Sequence, residues 1–71
     1  MKIAIITHDR AIFDEHIKKH NIPAKTVKLV RVWRDVEGQD FSDMIEIEGS
    51  ENVTTTVKNM LRRKLNLEIE E

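Results

Sequence analysis

The sequence predicts an α+β fold, a small two-layer sandwich in which an antiparallel sheet carries both helices on one face. Three observations point to it. A β-branched apolar run near the start is followed by a segment with helical spacing. Two further apolar runs flank Gly38, and a second helical stripe follows Gly49-Ser50.

The first run, residues 2–7, contains Ile3-Ala4-Ile5-Ile6 and reads as a strand that is apolar on both sides. Asp9 is placed to cap a helix over residues 10–20, with Ile12, Phe13, His16, Ile17 and His20 along one stripe and Lys18 and Lys19 pointing away. Pro23 disfavours helical geometry at Ile22 and ends it. Residues 26–36 and 41–48 read as a second and a third strand joined at a two-residue turn, Gly38-Gln39. That register sets Val36 against Phe41, Val32 against Ile45 and Trp33 against Met44, and pairs Arg34 with Asp43 and Arg31 with Glu46. Ser50 is expected to cap a helix over residues 51–65, with Val53, Val57, Met60 or Leu61, and Lys64 or Leu65 on its stripe. Leu67-Glu68-Ile69-Glu70 alternates, so residues 67–71 are either a short fourth strand or a frayed acidic tail. The order β-α-β-β-α, closed by that fourth strand, is the ferredoxin-like order. All 71 residues make one domain.

Charge is sorted along the chain. Residues 1–34 carry eight Lys or Arg against three acids, and residues 35–71 carry four against ten. The changeover at Arg34–Asp35 falls inside the expected hairpin, so much of the asymmetry is expected to serve cross-strand pairing. A total of −1 gives no general attraction to nucleic acid. The absence of cysteine excludes disulfides and a thiolate zinc site. No run approaches the length of a signal-peptide core or a membrane span, and a cytoplasmic location is expected.

Little of the composition speaks for catalysis. With Gly38 and Gly49 as the only glycines, the first strand-to-helix connection has none, so neither a dinucleotide fingerprint nor a P-loop exists. His16 and His20 stand four residues apart, but His8 is about 10 to 16 Å back along the helix axis, and the glutamate of a zinc-hydrolase helix is missing. His8-Asp9 occupies the end of the first strand without a nucleophile beside it. Asp40, Asp43, Glu46 and Glu48 lack calcium-loop spacing. No catalytic residue, metal or cofactor is expected.

The expected function is a non-enzymatic protein-interaction or regulatory module acting through the open sheet face, with another protein or a second copy as partner. Trp33 is the expected anchor, flanked by Leu29, Met44 and Ile6 and oriented by Arg31 and Glu46. The alternative is nucleic-acid binding through Lys18, Lys19, Lys25, Lys28, Arg62, Arg63 and Lys64, although Trp33 alone would offer a stacking ring. On the interface reading, Trp33→Ala weakens association in light scattering and leaves the monomer folded by circular dichroism. Unfolding of the variant would place Trp33 in the core instead.

Overall fold

The computed structural model describes residues 1–69. Strands and helices alternate along it: β1 Lys2–Ile6, α1 Arg10–Lys19, β2 Val27–Val30, the single turn α2 Trp33–Val36, β3 Phe41–Glu46 and α3 Thr55–Lys64. One-turn 3-10 segments at Ala24–Thr26 and Ser50–Asn52 precede β2 and α3. The sheet order is β2-β1-β3, and both pairings are parallel.

The parallel sheet overturns the expected antiparallel sandwich, and the cause is β1. Ala4, Ile5 and Ile6 are each fully buried. Ala4 and Ile6 point into a cluster with Val30, Val36, Phe41, Val53, Val57 and Leu61, whereas Ile5 points into another with Phe13, Val27 and Leu29. A strand apolar on both sides needs cover on both sides, which is the usual condition of parallel strands. Hence α1 covers one face while α2 and α3 cover the other, and the expected placement of both helices on one face is also corrected. The first crossover runs from β1 to β2 and the second returns from β2 past β1 to β3, in opposite lateral directions, so keeping one hand requires them to pass over opposite faces.

The expected hairpin does not form, because β1 lies between β2 and β3. Strand geometry stops at Val30, and the Asp35 carboxylate accepts hydrogen bonds from the amides of Arg31 (3.0 Å) and Val32 (3.2 Å). That carboxylate reaches back three residues to the helix start, as the acid of a capping box does, and favours a helical turn over a continued strand. Gly38 takes φ +71° in the connection that follows. Consequently Arg34–Asp43 and Arg31–Glu46 are not cross-strand pairs. Glu46 instead meets Lys58 (3.4 Å) and Arg62 (3.5 Å) of α3.

Both long helices use side-chain caps. Asp9 Oδ1 accepts from the Ala11 amide at 2.8 Å, as expected. In α3 the cap is Thr54 and not Ser50, its hydroxyl oxygen accepting from the Val57 amide at 3.4 Å. A threonine that is poor inside a helix is well suited to its start. Each helix ends on an asparagine in the left-handed region, Asn21 at φ 52° and Asn66 at φ 57°. The next amide then reaches back, from Ile22 to the Ile17 carbonyl (2.8 Å) and from Leu67 to that of Arg62 (2.7 Å), the Schellman arrangement. Leu67–Ile69 lies outside any strand, so over these residues the fourth strand does not form; Glu70 and Glu71 fall outside the described residues.

The carboxyl ends of β1 and β3 are stitched together. The fully buried Thr7 donates its hydroxyl to the Glu48 carbonyl at 2.6 Å, and the His8 amide donates to the Gly49 carbonyl at 3.3 Å. Gly49 sits at φ +88°, where a Cβ would lie 2.7 Å from Thr7 Oγ1, whereas nothing lies within 4 Å of a Cβ at Gly38. Gly38→Ala should therefore cost about 1–2 kcal/mol of backbone strain. Gly49→Ala should cost clearly more, since the clash adds to the same strain. Urea denaturation of the two variants checks the order, and equal losses would mean that the Thr7 contact yields freely.

Candidate interaction edge

In an open sheet of this winding, ligands commonly bind beyond the carboxyl ends of the strands where the winding reverses, here between β1 and β3. In this chain the Thr7–Glu48 and His8–Gly49 bonds occupy that crevice. Asp9 is committed to capping α1. Main-chain and hydroxyl bonds between the ends of β1 and β3 therefore close this crevice.

The outer edge of β2 is different. The Ile47 amide donates to the Ile6 carbonyl at 3.2 Å, which turns the backbone groups of Ile6 toward β3 and, by alternation, those of Ile5 toward β2. With Ile5 opposite Leu29, the flanking Lys28 and Val30 bond to Ile5, and the amide and carbonyl of Leu29 face outward. The Val27 amide agrees with this phase, since it donates to the Ala24 carbonyl and not into the ladder. Beside the edge, between β2 and α1, opens a cleft of about 260 Å³ lined by Arg10, Phe13, Ala24, Val27, Lys28, Leu29, Arg31 and Asp35. Among the described residues, no side chain bonds the outward groups of Leu29, and no carboxylate pairs with Arg10, Lys28 or Arg31. Phe13 and Leu29 form an apolar floor with Arg10 and Arg31 beside it, while Lys28 projects from the other face of β2.

The outer edge of β3 is guarded. Its outward row includes the Met44 amide, which the neighbouring Asp43 carboxylate takes at 2.8 Å. The pairing with β1 is also irregular between Lys2 and Ile3. Charged side chains and irregularities of this kind protect exposed edges from unwanted pairing. Because β2 and β3 lie on opposite sides of β1, the charge sorted along the chain becomes charge sorted across the sheet. Lys25, Lys28 and Arg31 fall at one edge; Asp40, Asp43, Glu46 and Glu48 fall at the other.

The six residues expected to form one interface do not share a surface. Ile6 is fully buried beneath α2 and α3, and Leu29 is buried on the α1 side. Met44 is half-buried against the α3 cluster, and Glu46 is tied to α3. Trp33 lies on α2 at 49% exposure beside Val32 at 51%, with the Arg34 guanidinium 5.6 Å from its ring centroid. Arg31 lines the β2 cleft. Arg31 and Trp33 are both exposed, two residues apart in sequence just beyond the end of β2.

The cations of the nucleic-acid alternative are similarly divided. Lys18 and Lys19 end α1 on one side of the sheet, Lys25 and Lys28 lie along β2, and Arg62, Arg63 and Lys64 end α3 on the other side. Arg62 also donates to Asn59 Oδ1 (2.9 Å), and Lys64 donates to the Gln39 carbonyl (3.1 Å). The rings of His16 and His20 lie 4.6 Å apart beside a concavity shared with Glu15 and Glu48. Among the described residues, no three His, Asp or Glu side chains are grouped so as to hold a metal ion. None of the helices described is long and apolar enough to cross a membrane.

The edge residues that sequence reasoning passed over are Arg10 and Asp35, while Asp43 was expected to pair with Arg34 and instead caps the Met44 amide. Asp35 did carry a signal, an acid three residues into a helical turn. A scan against models of protein families finds no match, and neither the curated proteins nor the solved structures give a significant one. The chemistry of the β2 edge therefore stands on its geometry. Since Asp35 holds the two amides at the end of β2, Asp35→Ala should destabilise the fold by about 1–2 kcal/mol. Chemical denaturation measures the loss, and no change would mean that water replaces the carboxylate without cost.

Proposed function

We propose that the domain is a non-enzymatic association module that binds an extended acidic segment by strand addition along the outer edge of β2. The observation carrying this reading is the outward-facing Leu29 amide and carbonyl beside a cleft lined by Arg10 and Arg31, with Lys28 on the other face of the strand. Main-chain bonds to a sheet edge supply affinity in this mode, and side chains on alternate positions supply selectivity. Two such bonds contribute roughly 1 kcal/mol each, and each exposed ion pair contributes about 0.2–1 kcal/mol. The resulting contact is weak, reversible and sensitive to salt, which suits regulation better than permanent assembly. Val32 and Trp33, just beyond the end of β2, extend the surface with apolar area. The acidic β3 edge on the far side of the sheet disfavours the same ligand there.

The reading is tested by following the backbone amides in solution while adding a blocked peptide of alternating valine and glutamate. The Leu29 amide and its neighbours are expected to shift at low salt and to return at high salt. A peptide with lysine in place of glutamate should leave them unmoved. Arg10→Glu with Arg31→Glu should weaken binding by about tenfold or more. Equal binding of the lysine peptide, or shifts confined to β3, would overturn the assignment. An oligonucleotide that moves these amides when the acidic peptide does not would give the basic edge to nucleic acid.

A further inference from the structure

Within this chain one segment has the properties that the β2 edge calls for. Leu67 and Ile69 are 47% and 39% exposed, lie outside any strand and flank Glu68, with Glu70 and Glu71 next in sequence. An alternating apolar and acidic segment fits an edge that offers apolar floor and positive charge together. We propose that the segment beginning at Leu67 docks on the β2 edge of a second copy of the chain, an inference that rests on the strand-addition reading above.

The argument turns on which edge the segment avoids. The hydrogen bond from Lys64 to the Gln39 carbonyl holds the end of α3 next to the start of β3, so the nearest edge in the same molecule is that of β3. A right-handed crossover from β3 through α3 would also deliver the chain beside β3. Yet the Met44 amide on that edge is already taken by Asp43, whose carboxylate would lie beside an incoming acidic segment. Like charges directly opposite one another destabilise a sheet pair. The β2 edge has the opposite sign, an outward amide without a side-chain partner among the described residues, and a cleft to receive the side chains. Arg10 and Arg31 line that cleft on the α1 side, while Lys28, opposite Ala4 in the ladder, projects from the other face of β2. An acid of the docked segment therefore meets a cation whichever face it takes. Segment and edge are different surfaces, so two reciprocal contacts close a two-fold dimer and a single repeated contact extends a chain.

Sedimentation equilibrium of the full chain at low and high salt tests this directly. The native chain is expected to self-associate reversibly at low salt and to dissociate at high salt. Glu68→Lys alone and Arg31→Glu alone should each weaken association by about tenfold, and mixing the two variants should restore it, because the reversed segment then meets a reversed edge. Thermal unfolding of each variant separates a lost contact from a lost fold, since all the altered side chains are exposed. A native chain that stays monomeric, or self-association unchanged by Glu68→Lys with Leu67→Ser and Ile69→Ser, would overturn the proposal. The alternating valine–glutamate peptide then distinguishes the two levels. Binding of the peptide at Leu29 leaves strand addition standing with a different occupant, and failure to bind removes both readings.

Discussion

The domain depends on burying β1 from both sides at once. Ile5 needs the α1 layer, while Ala4 and Ile6 need α2 and α3, and a sheet with one covered face cannot meet both requirements. Every other element takes its place from that demand. It separates β2 from β3, sends consecutive crossovers over opposite faces, and brings the ends of β1 and β3 close enough for Thr7 to bond the Glu48 carbonyl. Burying an isoleucine side chain contributes roughly 1.5–3 kcal/mol, so a central strand with two of them in opposite clusters outweighs local preferences elsewhere in so short a chain.

This explains which parts of the fold were legible in the sequence. The first strand, the Asp9 cap and part of each helical stripe rest on local pattern and appear as expected: Phe13 and Ile17 of α1 pack on one side, Val57 and Leu61 of α3 on the other, although α3 starts only at Thr55 and Val53 joins the core from outside it. The hairpin was misread because Val30, Val32 and Val36 also fit a two-residue period, and that pattern cannot show that Asp35 turns back onto the Arg31 and Val32 amides. The apolar character of β1 on both sides did carry the decisive information. Assigning its second side to a binding face, when a second helical layer was available to cover it, produced both the antiparallel sheet and the interface assembled around Ile6 and Leu29. The candidate edge was less legible still. Arg10, Lys28 and Arg31 are separated in the sequence, and only the parallel register of β2 on β1 turns the Leu29 amide and carbonyl outward beside the cleft.

The charge asymmetry also acquires a different meaning. In a hairpin, opposite charges on consecutive strands would neutralise each other within the sheet. With β1 between them, they lie at opposite edges, and the molecule presents a basic side and an acidic side to its surroundings. The acidic side is partly absorbed by Lys58 and Arg62, which meet Glu46. Among the described residues the basic side has no comparable ion pair.

The placement of β1 in the middle also bears on how the chain folds. The strand–helix–strand unit of β1, α1 and β2 is complete within the first thirty residues, and its ladder closes a loop of about two dozen residues between Ile5 and Leu29. Pairing β3 requires β1 to meet residues about forty positions away, as in Ile3 with Asp43. Closing the longer loop costs only a few tenths of a kcal/mol more in chain entropy, but its contacts become favourable only once the first unit offers a surface to dock on. The amino-terminal unit is thus the natural template of the fold. Substitutions in β3 and α3 would be felt mainly in the rate of unfolding, and those in β1 in the rate of folding.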